Sequence, residues 1–173
     1  MLTPSRADVR RLTADGLMLA AALILSWLEA VLPLSAPLPG FKLGLANIAV
    51  LLTAHLLGRS DALAVSLTRI FILSLLFGSA ASFAFSLGGG LLALAVIVLT
   101  KPLYGRMSLV GISVLSAAAH NLGQVLAACG VFMSPAPIGM LWWLLLLSIP
   151  TGILTGLLSE LLFRRLGPVI GKL

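Results

Sequence analysis

Residues 108–131, SLVGISVLSAAAHNLGQVLAACGV, run without a charged side chain. At about 1.5 Å of rise per residue, a helix of that length crosses the roughly 30 Å hydrocarbon core of a bilayer. Within the run, Ser113, Ser116, His120 and Gln124 follow an i, i+3, i+7, i+11 spacing that sets them on one helix face, with Asn121 next to His120. Amide and imidazole groups left in lipid lack partners, so this face has to meet other helices or a cavity. The segment reads as one member of a membrane helix bundle.

The rest of the chain has the same character. Its 173 residues are 60% hydrophobic and 9% charged, with mean hydropathy +1.18, far from the roughly one-quarter charged composition of soluble domains. Turn signals at 33–40, 58–60, 78–79, 101–106 and 134–137 divide it into six spans near 13–32, 42–57, 61–77, 82–100, 108–131 and 138–162. These use about 120 residues and leave about 50 for short connections, so a single all-α, six-transmembrane-helix domain over 1–173 is expected, with no soluble domain. The second and third spans are short, which calls for tilt or local thinning. The basic N-terminus and the apolar run after it have the outline of a signal peptide, but Pro37 follows the small pair Ser35-Ala36 and disfavours cleavage. The run reads as the first membrane helix.

Cationic side chains are retained on the cytoplasmic side. With both termini cytoplasmic, that side collects Arg6, Arg10, Arg11, Arg59, Lys101, Arg106, Arg164, Arg165 and Lys172, nine of the eleven basic residues. Lys42 faces outward. The net charge of +6 therefore follows from topology and anionic lipid rather than from nucleic acid. One cysteine, Cys129, rules out a disulfide framework and any multi-Cys metal site, and two histidines give little basis for a dedicated metal centre; no cofactor is expected.

Arg69 falls in mid-span, where a charge costs at least about 2.5–3.5 kcal/mol, so it should face the interior and have a partner. Two readings are open: a structural pair with Glu29 or a helix-end carbonyl, or an anionic ligand group. The α-helical rise puts Glu29, Lys42, Asn47, Arg69, His120, Asn121 and Gln124 in the outer half, as a cavity loaded from outside requires. His55 lies in the inner half as an interfacial residue. Gly88-Gly89-Gly90 permits close backbone approach or a broken helix, and Phe83 and Ser86 precede it as candidate ligand contacts. Phe83 and Phe85 also suit an interface belt. Pro150, Gly152 and Gly156 read as structural, loosening the last helix and allowing close packing. Gly16-x-x-x-Ala20 and Ala22-x-x-x-Ser26 form small-residue ridges for docking another helix. No P-loop pattern is present, so ATP hydrolysis by that device is excluded.

The segments LPGFKLGLANI (38–48), LTR (67–69), LFGS (76–79), FSLGGG (85–90) and SVLSAAAHNLGQ (113–124) resemble the Gx transporter family, also labelled heptaprenyl diphosphate synthase component I. The resemblance covers nearly the whole chain. That family is similar to the S components of energy-coupling factor transporters, six-helix proteins that capture vitamins outside and work with a transmembrane coupling subunit and ATPases. Members are also implied in flavin- and quinone-linked extracellular electron transfer. Prenyl chain elongation needs Asp-rich clusters that hold magnesium, and the acids here, Asp8, Asp15, Glu29, Asp61 and Glu160, are scattered. The chain is therefore not expected to be an enzyme.

The expectation is a substrate-binding subunit of the bacterial inner membrane. Lys42 and Arg69 would hold an anionic group, Asn47, Phe83, Ser86, His120, Asn121 and Gln124 would line the site, and Gly16, Ala20, Ala22 and Ser26 would dock a partner. The alternative is a non-catalytic accessory subunit, alongside a prenyl synthase catalytic chain or a menaquinone or flavin-linked electron-transfer system, with an isoprenoid, quinone or flavin as ligand.

Overall fold

The computed structural model describes residues 6–31, 44–77 and 79–170, and no strand occurs among them. Six helices follow one another: α1 (Arg6–Val31), α2 (Leu45–Leu56), α3 (Arg59–Phe77), α4 (Ala80–Leu99), α5 (Leu109–Phe132) and α6 (Leu141–Ile170). Short 3-10 turns at Lys101–Leu103 and Ala136–Met140 precede α5 and α6. Lys42 and the 33–40 turn lie outside the described residues. Over Asp8–Glu29, Ala80–Leu99, Leu109–Phe132 and Ala136–Pro168 the helices are long and apolar enough to cross a membrane. The chain is a multi-pass, all-helical membrane protein.

Helix starts follow local chemistry. Ser79 caps α4 by accepting from the Ser82 N–H at 3.2 Å, and Ser108 caps α5 by accepting from Gly111 at 3.1 Å. The α5 C-terminus closes on Met133 in the left-handed region, φ 48°. α6 continues past 162 to Ile170, longer than the sequence suggests, and carries Pro150 in its interior. Next to that proline, Ser148 Oγ donates to the Leu145 carbonyl at 2.6 Å and Thr151 Oγ1 to Leu147 at 2.9 Å, adding side-chain donors where the backbone ladder loses one.

α2 is the axis of the bundle. Its 12 residues span about 18 Å, too few to cross a bilayer upright. Ile48, Ala49, Val50, Leu51, Leu52, Thr53 and Ala54 are all buried, and α2 packs on each of the other five helices. A continuous apolar run is what a helix enclosed on every side needs. One cluster joins Met18 and Ala22 of α1 to Ile48, Ala49 and Leu52 of α2 and Val65 of α3. A second joins Val50, Leu51 and Ala54 to Ala62, Leu94, Ile97 and Ile112.

Helices α4, α5 and α6 meet backbone to backbone. A Cβ built on Gly88 would lie 2.6 Å from the Gly123 carbonyl oxygen, and one on Gly123 would collide with the Gly88 backbone. Likewise a Cβ on Gly152 or Gly156 would lie 2.5 Å from Val114 Cα or 2.6 Å from Val110 Cα. These two small-residue crossings fix the middle of the sheaf. The Gly88–Gly90 step is thus a close-approach site inside an unbroken helix.

Candidate functional site

The polar face expected on α5 is buried in full: Ser113, Ser116, His120, Asn121 and Gln124. Much of it is occupied by neighbouring helices. Ser113 Oγ and Thr155 Oγ1 of α6 are 2.9 Å apart, Ser116 Oγ donates to the Ala93 carbonyl of α4 at 3.3 Å, and the Asn121 amide donates to the Leu144 carbonyl of α6 at 2.8 Å. His120 and Gln124 lie against Gly89, whose missing side chain makes room for both. Gln124 Oε1 is buried without a hydrogen-bond partner among the described residues.

Arg69 lies on α3 and is 7% exposed. Its Nη1 donates to Ser26 Oγ of α1 at 3.4 Å, its Nε has no hydrogen-bond partner among the described residues, and Glu29 is the carboxylate whose field acts on it. Glu29 in turn accepts from the Gly44 backbone N–H at 2.6 Å, at the α2 N-terminus. Gly44 is left-handed, φ 77°, and supplies no side-chain cap. A Cβ there would lie 3.2 Å from Asn47 Nδ2, so Asn47 belongs to the same corner.

The structure therefore brings Ser26, Glu29, Gly44, Asn47 and Arg69 together where α1, α2 and α3 meet. The α5 face lies across α4 at a similar level: Gly89 touches His120 and Gln124, and Gly90 touches Ile70, next to Arg69. Phe83 sits apart, in a mostly apolar groove lined with Phe71, Ser74, Leu75, Ser79 and Ala80. Ser86 is half-buried one turn further on. Of the small residues, Gly16 and Ala20 stay on the exposed face of α1, whereas Ala22 is fully buried against α2 and Ser26 is engaged by Arg69.

Two participants escaped sequence reading. The Gly44 N–H is a backbone donor and has no residue signature beyond the glycine itself. Thr155 was not singled out, although the Thr151-x-x-x-Thr155-x-x-x-Ser159 spacing marks the α6 face that meets α5.

The opposite end of the bundle carries its own network. Arg11 grips Asp61 with Nη2 at 2.8 and 3.0 Å and Nε at 3.2 Å. Lys101 Nζ donates to the Ala54 carbonyl at 3.1 Å. His55 stacks on Tyr104 with ring centroids 3.7 Å apart, and its Nδ1 lies 3.0 Å from the Leu51 carbonyl. Burial pushes the Tyr104 phenol up to about 12, against the opposing pull of Arg59. Among the described residues no three His, Cys, Asp or Glu side chains converge as metal ligands.

Residues 18–162 match the family described as heptaprenyl diphosphate synthase component I. The chain belongs to that family. The matched stretch contains α2 through α5, about half of α1, most of α6, and the whole Arg69 corner. Neither the curated proteins nor the solved structures contain a match to it.

Proposed function

We propose that this family member is a non-catalytic membrane subunit that binds the anionic group of a small ligand at Arg69, in the manner of the S components of energy-coupling factor transporters. The observation that carries the reading is a guanidinium 7% exposed whose Nε has no hydrogen-bond partner among the described residues. A cation held this deep is costly unless charge and donors are matched, and an oxyanion supplies both. Gln124 Oε1, likewise buried and unmatched, adds an acceptor across α4 for the uncharged part of a ligand.

A second reading has its own support. The family name joins the chain to heptaprenyl diphosphate synthesis, and the apolar groove of Phe71, Leu75 and Phe83 suits an isoprenoid tail. In that reading the chain partners a prenyl synthase catalytic subunit and presents a prenyl diphosphate or quinone to it.

Native mass spectrometry of gently purified protein, with extraction of bound small molecules, tests both on wild type and a folded Arg69→Gln variant. A water-soluble anionic metabolite lost in the variant supports capture for transport. A prenyl diphosphate or quinone lost in the variant supports the accessory role. No ligand in either protein, with the variant merely less stable, overturns the binding reading and leaves Arg69 as a structural ion.

A further inference from the structure

Helix α2 begins at Gly44, which has no side chain to cap it; the Asn47 N–H turns back to the Gly44 carbonyl at 2.9 Å, and the Gly44 N–H, at the positive end of the helix dipole, takes an acceptor from outside the helix. Such an end is a natural seat for an oxyanion. The seat is already taken: Glu29 of α1 places Oε1 2.6 Å from the Gly44 nitrogen. Arg69 lies in the same corner, buried and within the field of that carboxylate, held to α1 by the long 3.4 Å bond to Ser26 and with no hydrogen-bond partner for its Nε among the described residues. Both α1 groups in this corner, Ser26 and Glu29, thus belong to the helix that buries the smallest share of its length among the four long apolar helices. Among the described residues, no atom comes within 4 Å of a Cβ built on Gly16 of α1, unlike Gly88, Gly123, Gly152 and Gly156.

We infer that the Glu29 carboxylate is an internal stand-in for the ligand's oxyanion, and that the ligand displaces it from the Gly44 N–H beside Arg69 and so frees the outer end of α1. This rests on the anion-binding reading of Arg69 given above. A carboxylate tethered on α1 competes with any free carboxylate or phosphate for the Gly44 N–H and for the charge of Arg69, so the empty protein is held closed by its own acid. A bound oxyanion converts that contact into repulsion, because two anions would then face one guanidinium. Apparent affinity is reduced by the fraction of time that Glu29 holds the seat.

The test uses full-length protein in lipid nanodiscs, with inorganic diphosphate and acetate as separate probes, so that phosphate and carboxylate chemistry are read independently. Binding is measured calorimetrically for wild type, Glu29→Ala, Glu29→Gln and Arg69→Gln, each first shown to be folded by its melting curve. Nitroxide labels at Trp27→Cys and Met133→Cys, both exposed positions, report the outer end of α1 in a Cys129→Ser background. Expected is binding of at least one probe by wild type, about tenfold tighter binding by Glu29→Ala, an intermediate gain for Glu29→Gln, and loss in Arg69→Gln. The label distance should change with the probe in wild type and be changed already in Glu29→Ala without it. Equal or weaker binding by Glu29→Ala, or a distance that the probe leaves unmoved, overturns the stand-in while leaving the Arg69 site intact. No binding by any folded variant overturns the anion site and the stand-in together.

Discussion

Across the bundle, α4, α5 and α6 touch through bare backbone at Gly88, Gly123, Gly152 and Gly156, and hydroxyls and amides such as Ser113, Ser116 and Asn121 bond across the gaps. On the other side α1 meets α2 and α3 through side chains, the apolar Met18 and Ala22 and the polar Ser26, Glu29 and Arg11, with much of its length facing lipid. Lipid is as apolar as leucine, so burying apolar side chains gives little drive for helices to associate there; close packing and interhelical hydrogen bonds supply it. By that measure α4–α6 is the fixed frame and α1 the element most easily displaced. Arg69 lies on α3, between the two.

Substitutions at the glycines test this contrast most severely. Gly123→Leu should force α4 and α5 apart and cost about 3 kcal/mol or abolish the folded protein, read by denaturant titration in mixed micelles. Arg69→Gln should leave folding measurable and weaken diphosphate binding by more than about tenfold, read by calorimetry. Asn121→Ala should cost about 0.6–1.7 kcal/mol through the lost bond to Leu144, with diphosphate affinity unchanged, because the amide is committed to the frame. Loss of binding in that variant would move Asn121 from frame to site.

Tyr104 is the only tyrosine, so its ultraviolet titration is unambiguous. Its ionisation should centre at about 12, above the ordinary value of about 10. With the folded value raised, the stability it contributes is complete below about pH 10 and is lost as pH rises through 12. Tyr104→Phe should remove that dependence along with the 3.1 Å bond to the Ile97 carbonyl. The smallest effect is expected at Gly16→Leu, below about 0.5 kcal/mol, since no atom of the described residues lies within 4 Å of a Cβ at that position. A cost there comparable to Gly123→Leu would erase the distinction between the two regions.

Hydropathy and turn residues carried most of the architecture: every helix begins and ends within a few residues of its expected bounds except at the N-terminus of α1 and the C-terminus of α6. Those two extend because Arg6, Arg10, Arg164 and Arg165 are good helix formers that lengthen a helix beyond its apolar part. The enclosure of α2 was hidden, since an apolar run looks the same whether lipid or protein surrounds it. Periodicity found the α5 polar face but could not tell a partner helix from a ligand, and Asn121 and Ser113 proved to be held by α6. Arg69 stood out because charge at that depth is rare. Its neighbour Ser26 did not, being read as part of a docking ridge, because which side of α1 faces α3 depends on rotation about the helix axis, which spacing alone does not give.

The enclosed α2 also constrains how the protein is made. A helix about 18 Å long with apolar groups all round has no settled position in lipid by itself. The Ala54 carbonyl near its end meets Lys101, a residue synthesised 47 positions later. When α1, α2 and α3 leave the ribosome, the walls of the α2 socket contributed by α4, α5 and α6 do not yet exist. Insertion of the first three helices is therefore provisional, and their final seating is expected only after the second half of the chain has closed around them.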